Sequence, residues 1–273
     1  MRQASVRISP DLASRIFHPC LVIPTFNNRD TIYPVLASVE RLNLPCFVVD
    51  DGSNAVTKAV LQQCERQFPW VTLITHERNY GQGVAVLTAA TAARKRGYTH
   101  GVQIDADGQH DVADIRTFLK WSEIEPRAIV VGKPIFDGTA PRARLYGRKL
   151  THFCIWLETL SFAVKDGLCG FRCYPLDELE AVSQKVRLGR RMDFDPDVLV
   201  RLIWDGVPVI NVETRVRYFA NGLSHFKMVR DNISMVRLHL KLIAQLLFRF
   251  PLLLKTEDRL DDRVWHGMVI PLS

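Results

Sequence analysis

The sequence contains neither a CxxC pair nor the cysteine spacing of a zinc ribbon, although it has six cysteines. This argues against a structural zinc site. Most of the cysteines lie within apolar runs, which is typical of reduced core thiols in a cytoplasmic protein. They are Cys20, Cys46, Cys64, Cys154, Cys169 and Cys173.

Long apolar segments are also absent. No stretch reaches the roughly 18 uninterrupted apolar residues of a membrane-spanning helix. The opening residues, MRQASVRISPDLASRIFHP, lack the apolar centre of a secretory leader, so we expect none. These absences favour a cytoplasmic location without a spanning helix.

The chain carries a net positive charge. Thirty-six Lys and Arg against 29 Asp and Glu give a net charge of +7 and a pI near 9.2. Such a chain favours anionic partners: phosphate ligands, nucleic acid or an anionic membrane surface. Because the basic residues are dispersed without interleaved aromatics, we expect no nucleic-acid partner.

Short apolar runs alternate with helical patterns in the first half of the chain. We predict strands at residues 20–24, 46–50, 71–75, 100–105 and 128–132, and helices at Thr31–Leu42, Val56–Phe68 and in the alanine-rich segment before Gly97. This alternation predicts an α/β fold, a mostly parallel Rossmann-like sheet with helices on both faces.

Polar clusters follow three of these strands: TFNN after the first, DDGS after the second and DADGQH after the fourth. Ligands of open α/β sheets bind at the carboxyl ends of the strands. We therefore expect a binding cleft at this edge.

Asp105 and Asp107 lie one residue apart and repel each other. Two such carboxylates suit Mg²⁺ or Mn²⁺, which proteins commonly hold together with substrate phosphates. Gln109 offers a neutral oxygen nearby. The alternative is a solvated loop, which the matching clusters on neighbouring strands make less attractive.

Two further segments are ambiguous by themselves. Asp50 or Asp51 can accept hydrogen bonds from a nucleotide base or ribose, or else cap the next helix. NYGQGVAV resembles a loose glycine-rich phosphate loop but lacks the GK[ST] of a Walker A motif.

Together, VIPTFNN, VVDDGS, NYGQGVAVLTA and IDADGQH have the order and spacing of family 2 glycosyltransferases with the GT-A fold. KDGLCGFRCYP and DFDPDVLVRLIWDGVPVINV resemble the dolichyl- and polyprenyl-phosphate sugar transferase branch. The C-terminal part is also similar to bacterial family 2 transferases of aryl-polyene-type lipid clusters. The resemblance predicts a GT-A domain at residues 19–226, after an N-terminal extension (1–18) and before an amphipathic helical extension and tail (227–273).

The resemblance implies a hexosyltransferase that moves one sugar, with inversion, from a nucleotide-diphosphate sugar to a lipid-linked or polyprenyl-phosphate-like acceptor. It implies Asp105, Asp107 and Gln109 as ligands of Mg²⁺ or Mn²⁺, which stabilises the leaving nucleotide. The nucleotide-sugar residues it implies are Pro24, Phe26, Asn28, Asp51, Asp105, Ala106 and Asp107.

On the acceptor side, the resemblance implies Arg148 as a phosphate ligand; a guanidinium suits phosphate. Asp166 precedes CGFR at the branch's usual position, although it can equally brace that loop. Asp195, with Asp193 as its neighbour, is the candidate base for a hydroxyl acceptor. A phosphate acceptor needs no base, and the two aspartates can instead cap the next helix.

Some residues depart from the branch. Its late diphosphate-contacting arginine aligns with Phe219, two residues from Arg217, and its SK appears as Ser224–His225. These departures weaken the case for diphosphate contacts from this loop and for a polyprenyl-phosphate acceptor. Arg142 and Arg144 are expected to be surface charges. No QxxRW signature is present, so we expect single-sugar transfer.

The segment after residue 227 has an amphipathic pattern. An apolar stripe and a largely basic stripe predict a helix that either lies on an anionic membrane or packs on the domain. The stripes are Val236, Leu240, Ile243, Leu247 and Phe250, and Arg237, Lys241, Gln245 and Arg249. A second apolar stripe (Phe153, Trp156, Leu157, Leu160 and Val164) joins the same lipid-facing surface or the core. We favour peripheral attachment to the cytoplasmic face of the membrane.

Two other hypotheses remain from the sequence. A nucleotidyltransferase also uses an α/β sheet and paired aspartates, but IPTFNNRD lacks the glycine expected after its first strand. A catalytically silent nucleotide-sugar-binding partner is possible, although the intact aspartate pair argues against it. The sequence indicates no oligomeric state.

Overall fold

The computed structural model describes residues 16–136, 142–216, 228–260 and 268–271. The strands are β1 (Pro19–Thr25), β2 (Cys46–Asp50), β3 (Val71–Thr75), β4 (His100–Gln103), β5 (Ile129–Phe136), β6 (Arg172–Pro175), β7 (Val209–Val216) and β8 (Val269–Ile270). The helices are α1 (Ile32–Val39), α2 (Ala55–Gln67), α3 (Gln82–Lys95), α4 (Ile115–Ile124), α5 (Arg142–Thr159), α6 (Leu176–Lys185), α7 (Phe194–Trp204) and α8 (Met228–Leu260).

The strands form one sheet in the order β3-β2-β1-β4-β6-β5-β7-β8. Only β6 among these strands runs antiparallel to its neighbours; the other pairs are parallel. The predicted α/β fold with a mostly parallel sheet is confirmed. β1 lies between β2 and β4, so the three predicted polar clusters leave the sheet at adjacent strand ends.

The apolar strands bury both faces of the sheet. On one face, α3, α6, α7 and α8 pack over side chains such as Val22 and Phe47. On the other face, α1, α2 and α4 cover Val48 and neighbours, and Phe118 stacks on Phe171 with ring centroids 4.1 Å apart. Two apolar layers around one sheet give the loops at its edge a fixed base.

Element boundaries shift slightly from those predicted. The helix predicted to reach Leu42 ends at Val39 and continues as a 3-10 turn, which stops at Asn43 with φ of 51°. The strand predicted to end at Asp105 ends at Gln103. Asp105 therefore lies in the loop beyond the strand.

Helix α8 packs on α5 and α7 through a face that differs from the predicted stripe. Leu238, Leu242 and Leu246 are buried. Leu240 and Leu247, on the other side of the helix at about 100° per residue, are 64% and 75% exposed. The helix therefore has two apolar faces, one of which packs on the domain.

The residues of the predicted basic stripe have different environments. Arg237 and Lys241 are exposed, whereas Gln245 accepts a hydrogen bond from Arg201 and Arg249 lies 5.1 Å from the Trp204 ring centroid. Arg237 and Lys241 thus face solvent, whereas the Arg249 side chain, 38% exposed, lies partly against Trp204. The side chain of Phe250 lies outside the described residues.

The second predicted stripe follows one helix only as far as Leu157, because α5 ends at Thr159. Phe153 and Leu157 are exposed on the helix, but Val164 is a core residue in the following loop. Trp156 is fixed by a hydrogen bond from its indole to the Val164 carbonyl. Among the described residues, no helix is both long and apolar enough to cross a membrane.

Candidate active site at the carboxyl ends of the strands

Hydrogen bonds join the loops that follow β1, β2 and β4. The backbone N–H of Asn27 donates to Ser53 Oγ at 2.9 Å, and the Asn54 N–H donates to Asn27 Oδ1 at 2.9 Å. Thr31 Oγ1 donates to the carbonyl of Ala106 at 2.6 Å. The three polar clusters therefore form one continuous surface at the edge of the sheet.

The predicted nucleoside residues after β1 are held in a tight turn. Asn28 is almost fully buried, and its Oδ1 accepts hydrogen bonds from the Phe26 N–H and the Thr25 hydroxyl. Pro24 is buried within β1, beyond the register in which β1 pairs with β4. The carbonyl end of the Asn28 amide thus shapes this wall of the cleft.

Asp51 organises the loop between β3 and α3. Its carboxylate accepts the N–H groups of Tyr80 at 2.8 Å and Gly81 at 2.7 Å. The His76 ring contacts Asp51 Oδ1 through Nδ1 at 2.9 Å and Thr88 Oγ1 through Nε2 at 3.0 Å. Sequence reasoning missed His76, because the pairing joins the ends of two different strands.

The adjacent aspartate has an unused oxygen. Asp50 is fully buried, and its Oδ1 accepts the Ser53 N–H at 2.9 Å. Its Oδ2 has no hydrogen-bond partner within the described ranges. Neither carboxylate of the DDGS turn caps α2, because that role falls to Asn54, whose side chain accepts the Thr57 N–H.

The glycines of NYGQG allow other parts of the chain to pack closely against this loop. A Cβ on Gly81 would lie 2.2 Å from the Arg190 carbonyl oxygen, and one on Gly83 would lie 2.5 Å from the Phe194 ring. The Gly83 N–H donates to that same Arg190 carbonyl. The glycines therefore allow Arg190 and the first residue of α7 to pack closely against this loop. This packing explains their spacing without a phosphate ligand.

Asp105 and Asp107 lie close enough for their charges to interact. Burial, and then the charge of Asp105, raises the pKa of Asp107. Asp107 Oδ1 accepts the Gln109 backbone N–H at 3.0 Å, and Asp105 Oδ2 lies 3.3 Å from His110 Nε2. A cation between the two carboxylates would relieve this repulsion.

His110 is a site residue that sequence reasoning missed, although it ends the quoted DADGQH cluster. Its side chain is only 8% exposed and packs against Phe171 with ring centroids 5.1 Å apart. Burial lowers its pKa, but the hydrogen bond and charge of Asp105 outweigh burial and raise it. His110 can thus carry a positive charge beside the carboxylate pair.

Two other chain segments approach Asp105. Gln82 Nε2, at the start of α3, donates to Asp105 Oδ1 at 3.2 Å. A Cβ on Gly170 would lie 3.0 Å from Asp105 Oδ2. The described residues contain no group of three or more His, Cys, Asp or Glu side chains able to hold a metal. The two carboxylates of Asp105 and Asp107 suit a hard cation whose remaining ligands are substrate phosphates and water.

Asp195 is buried and does not cap α7. Its Oδ1 has no hydrogen-bond partner in the described part of the chain and lies 3.8 Å from Arg172 Nη1. Burial raises the pKa of Asp195 to about 7; Arg172 opposes this rise, while the charges of Asp105 and Asp166 add to it. The carboxyl therefore belongs to the same electrostatic site as the aspartate pair.

Asp193 has a different environment. It precedes α7 without a side-chain cap, and its Oδ1 accepts the Arg191 N–H at 2.9 Å. This bond makes Asp193 a residue of the turn before the helix.

Asp166 and Arg148 form an ion pair. Asp166 Oδ1 also accepts the N–H groups of Leu168 and Cys169, and His152 Nε2 lies 3.4 Å from its Oδ2. Burial alone would raise the pKa of Asp166, but His152 and Arg148 lower it below its ordinary value. The structure thus brings both predicted acceptor-side residues together and adds His152, one helical turn after Arg148.

Several predicted residues cannot be placed. Phe219, Arg217 and Ser224–His225 lie outside the described residues, as do the side chains of Arg142 and Arg144.

The sequence matches a known protein family over more than half of its length. Residues 20–174 match the family model for glycosyl transferase family 2. The chain belongs to glycosyl transferase family 2. It is therefore a glycosyltransferase of the hexosyltransferase kind, which argues against the nucleotidyltransferase alternative.

Named relatives include lipid-phosphate sugar transferases. The UDP-N-acetylglucosamine–dolichyl-phosphate N-acetylglucosaminyltransferase of Methanococcus voltae is 27% identical over 187 residues, which cover 62% of this chain and 74% of the relative. The polyprenol monophosphomannose synthase of Mycolicibacterium smegmatis is 26% identical over 220 residues, 78% of this chain and 82% of the relative.

A solved structure supports the GT-A fold of this glycosyltransferase. The mannosyltransferase PcManGT of Pyrobaculum calidifontis, in complex with GDP-Man and Mn²⁺, superposes with a TM-score of 0.53 at 18% identity. The match covers 75% of this chain and 58% of that one.

Proposed function

We propose that this glycosyltransferase moves one sugar, with inversion, from a nucleotide-diphosphate sugar to a lipid-linked or polyprenyl-phosphate-like acceptor, in a metal-dependent reaction. The central observation is the Asp105–Asp107 pair at the strand ends, where burial and, after it, the charge of Asp105 raise the pKa of Asp107. Membership of the family and the names of the two relatives support the reaction class and the acceptor.

The nucleotide-sugar would bind along the joined loops. The Asn28 turn and the loop held by Asp51 would line the nucleoside pocket, and Asp105, Ala106 and Asp107 would lie beside the diphosphate. Asp105, Asp107 and Gln109 would hold Mg²⁺ or Mn²⁺. That ion, when bound, would stabilise negative charge on the departing nucleoside diphosphate.

The acceptor would enter on the side of α5 and the loop that follows it. Arg148 and His152 face Asp166, so an acceptor phosphate would compete with this carboxylate for both donors. The acceptor oxygen would attack the anomeric carbon from the face opposite the leaving diphosphate. The new carbon–oxygen bond would form as the bond to the diphosphate breaks, which inverts the anomeric configuration.

The role of Asp195 would depend on the acceptor. A hydroxyl acceptor must lose a proton, and Asp195, with a pKa raised to about 7, is suited to receive it near neutral pH. A phosphate acceptor is already anionic and would need no base. Asp193, committed to its turn, and Asp166, ion-paired with Arg148, are less available for proton transfer.

We also propose peripheral attachment to the cytoplasmic face of a membrane; the outward faces of α5 and α8 support the attachment. Large apolar side chains are exposed on both helices: Leu150, Phe153, Leu157, Ile233, Val236, Leu240, Leu247 and Phe248. Arg237 and Lys241 flank them on α8. Exposed apolar residues beside basic ones suit an anionic bilayer interface, where a lipid acceptor would be found.

A thermal-shift panel tests the donor site. We expect UDP-glucose, UDP-N-acetylglucosamine or GDP-mannose to raise the melting temperature more with Mn²⁺ than without it. Asp107→Ala should abolish the metal-dependent part, whereas Asp30→Ala, at an exposed carboxylate, should retain it. An Asp107→Ala protein that responds like wild type would refute the assigned metal site.

A further inference from the structure

Arg172 is an arginine whose charge lies entirely inside the protein. It is 0% exposed and lies on β6, paired with Gln103 of β4 and Val131 of β5. A buried guanidinium is costly unless its donors are satisfied. The groups that accept its hydrogen bonds show which parts of the chain Arg172 connects.

Arg172 donates to three backbone carbonyls from two separate segments. Nε donates to Cys169 O at 2.8 Å and Nη2 to Gly167 O at 2.8 Å. Nη1 donates to Asp195 O at 2.7 Å. The planar fork therefore joins the loop that begins at Asp166 to the first turn of α7.

These two segments carry the acceptor-side carboxylates. The Asp166 loop also places Gly170 close to the oxygens of Asp105. The guanidinium therefore holds the backbone of two acceptor-side segments next to Asp105, and none of its hydrogen bonds among the described residues reaches the donor loops. Arg172 and Asp195 approach at Nη1–Oδ1 3.8 Å. The cation thus holds the backbone of Asp195 by a hydrogen bond and leaves its carboxylate available.

The surroundings of Arg172 are unusually polar for a protein interior. Burial raises the pKa of the Tyr174 hydroxyl, and the charge of Arg172 opposes this rise; within the described residues the hydroxyl has no hydrogen-bond partner. Both amide atoms of Gln103 are buried and have no hydrogen-bond partner among the described residues. Buried polar groups without a partner are rare and costly, and a role at a functional site is one explanation for them.

We propose that Arg172 is a positioning residue for sugar transfer, fixing Asp195 relative to Asp105 by joining the Asp166 loop to helix α7. The proposal rests on the proposed function, because it assigns Asp195 a place at the reacting sugar. Arg172 itself touches no substrate. Its loss should impair the transfer step and spare donor binding, which depends on the loops around Asp51 and Asp107.

The direct test is Arg172→Lys, which keeps the charge and loses the fork. With undecaprenol in detergent micelles, whose hydroxyl must lose a proton as it attacks, and whichever of UDP-glucose, UDP-N-acetylglucosamine and GDP-mannose is turned over, kcat should fall on the order of 10- to 100-fold. The donor KM should change by no more than about twofold, because its site is untouched. Unchanged kcat would overturn the proposal.

A matched control separates positioning from stability. Arg201, also buried, pairs with Asp197 at 2.6 Å on the same helix. Arg201→Lys should lower the melting temperature while leaving kcat within about twofold. In an Asp195→Asn background, Arg172→Lys should add little further loss, because coupled residues are not additive. An equal additional loss would contradict the proposed route through Asp195.

Two further measurements keep the proposal testable. If Arg172→Lys does not fold, Tyr174→Phe is the substitute variant, because it perturbs the same guanidinium without removing a charge. It should lower kcat at constant donor KM. An unchanged kcat in this variant would refute the proposal. If wild type transfers sugar to neither undecaprenol nor undecaprenyl phosphate, the proposed function fails instead. Hydrogen exchange then tests whether Arg172 links the two segments. In whichever of the two variants folds, the amides of residues 167–169 and of the start of α7 should lose protection together. Loss in one segment alone would overturn the link.

Discussion

His239 Nδ1 lies 2.7 Å from Glu158 Oε1, and this pair is buried between α8 and α5. Trp204 of α7 donates its indole N–H to the Glu158 carbonyl at 2.8 Å. One residue of α5 therefore contacts both α7 and α8. The side chain of Glu158 binds α8, whose outer face carries exposed leucines, and its carbonyl binds α7, the helix that carries Asp195.

The Glu158 pair predicts a pH-dependent stability. Burial raises the pKa of Glu158 above its ordinary value of 4.5, although His239 partly opposes the shift. A raised folded-state pKa means that this group's stabilising contribution is present below 4.5 and lost as the pH rises through the folded pKa. The Glu158→Gln variant lacks this loss.

We therefore expect the free energy of unfolding of Glu158→Gln, relative to wild type, to increase as the pH rises from 4.5 to 8. Urea titrations at several pH values measure this difference, in which titrations of other groups largely cancel. A difference that stays flat or falls over that range would contradict the assigned burial.

The packing of NYGQG against the start of α7 predicts the effect of an added methyl group. Gly83→Ala places a Cβ 2.5 Å from the Phe194 ring and should destabilise the protein by about 2 kcal/mol. Gly147→Ala lies on α5, where no described residue outside the neighbouring backbone of the helix comes within 4 Å of the new Cβ, and it should be neutral or stabilise by up to about 1 kcal/mol. Thermal unfolding distinguishes the two, and equal effects would be inconsistent with this packing.

The two faces of α8 predict separate effects on membrane binding and stability. Changing Leu240, Leu247 and Phe248 to Gln should weaken sedimentation with anionic liposomes by on the order of 100-fold or more, with little change in melting temperature. Leu242→Gln, at a fully buried position, should instead lower the melting temperature.

The charge on α8 gives a second arm of this experiment. Neutralising Arg237 and Lys241 should reduce binding to anionic liposomes more than to neutral ones. Neutralising Arg249, which lies near Asp205 and Trp204, should have a smaller effect. Binding that ignores all these changes would assign the exposed residues to something other than a bilayer.

The fold and one side of the cleft could be predicted because the relevant signals are local. Apolar runs alternating with helical segments indicate parallel strands, and adjacent strand ends then bring Asp51 and Asp105 to one edge. Arg172 and His76 could not be found in this way. Their partners lie on other strands and loops, so their roles exist only after the chain has folded.

The packing of α8 shows a second limit of sequence patterns. The Leu240–Leu247 face and the Leu238–Leu246 face are both apolar, and periodicity alone does not decide which one packs. The observed choice places His239 against Glu158 and Gln245 beside Arg201. These polar partners on the domain select the packed face, and no pattern within the helix reveals them.

The most direct test of the proposed metal-dependent transfer is the anomalous diffraction of manganese in a crystal soaked with Mn²⁺ and a sugar nucleotide that shifts the melting temperature. We predict a single strong peak that contacts the carboxylates of Asp105 and Asp107 and the diphosphate of the donor. A bound donor without a peak at these carboxylates, or a peak and donor in another part of the protein, would contradict the account.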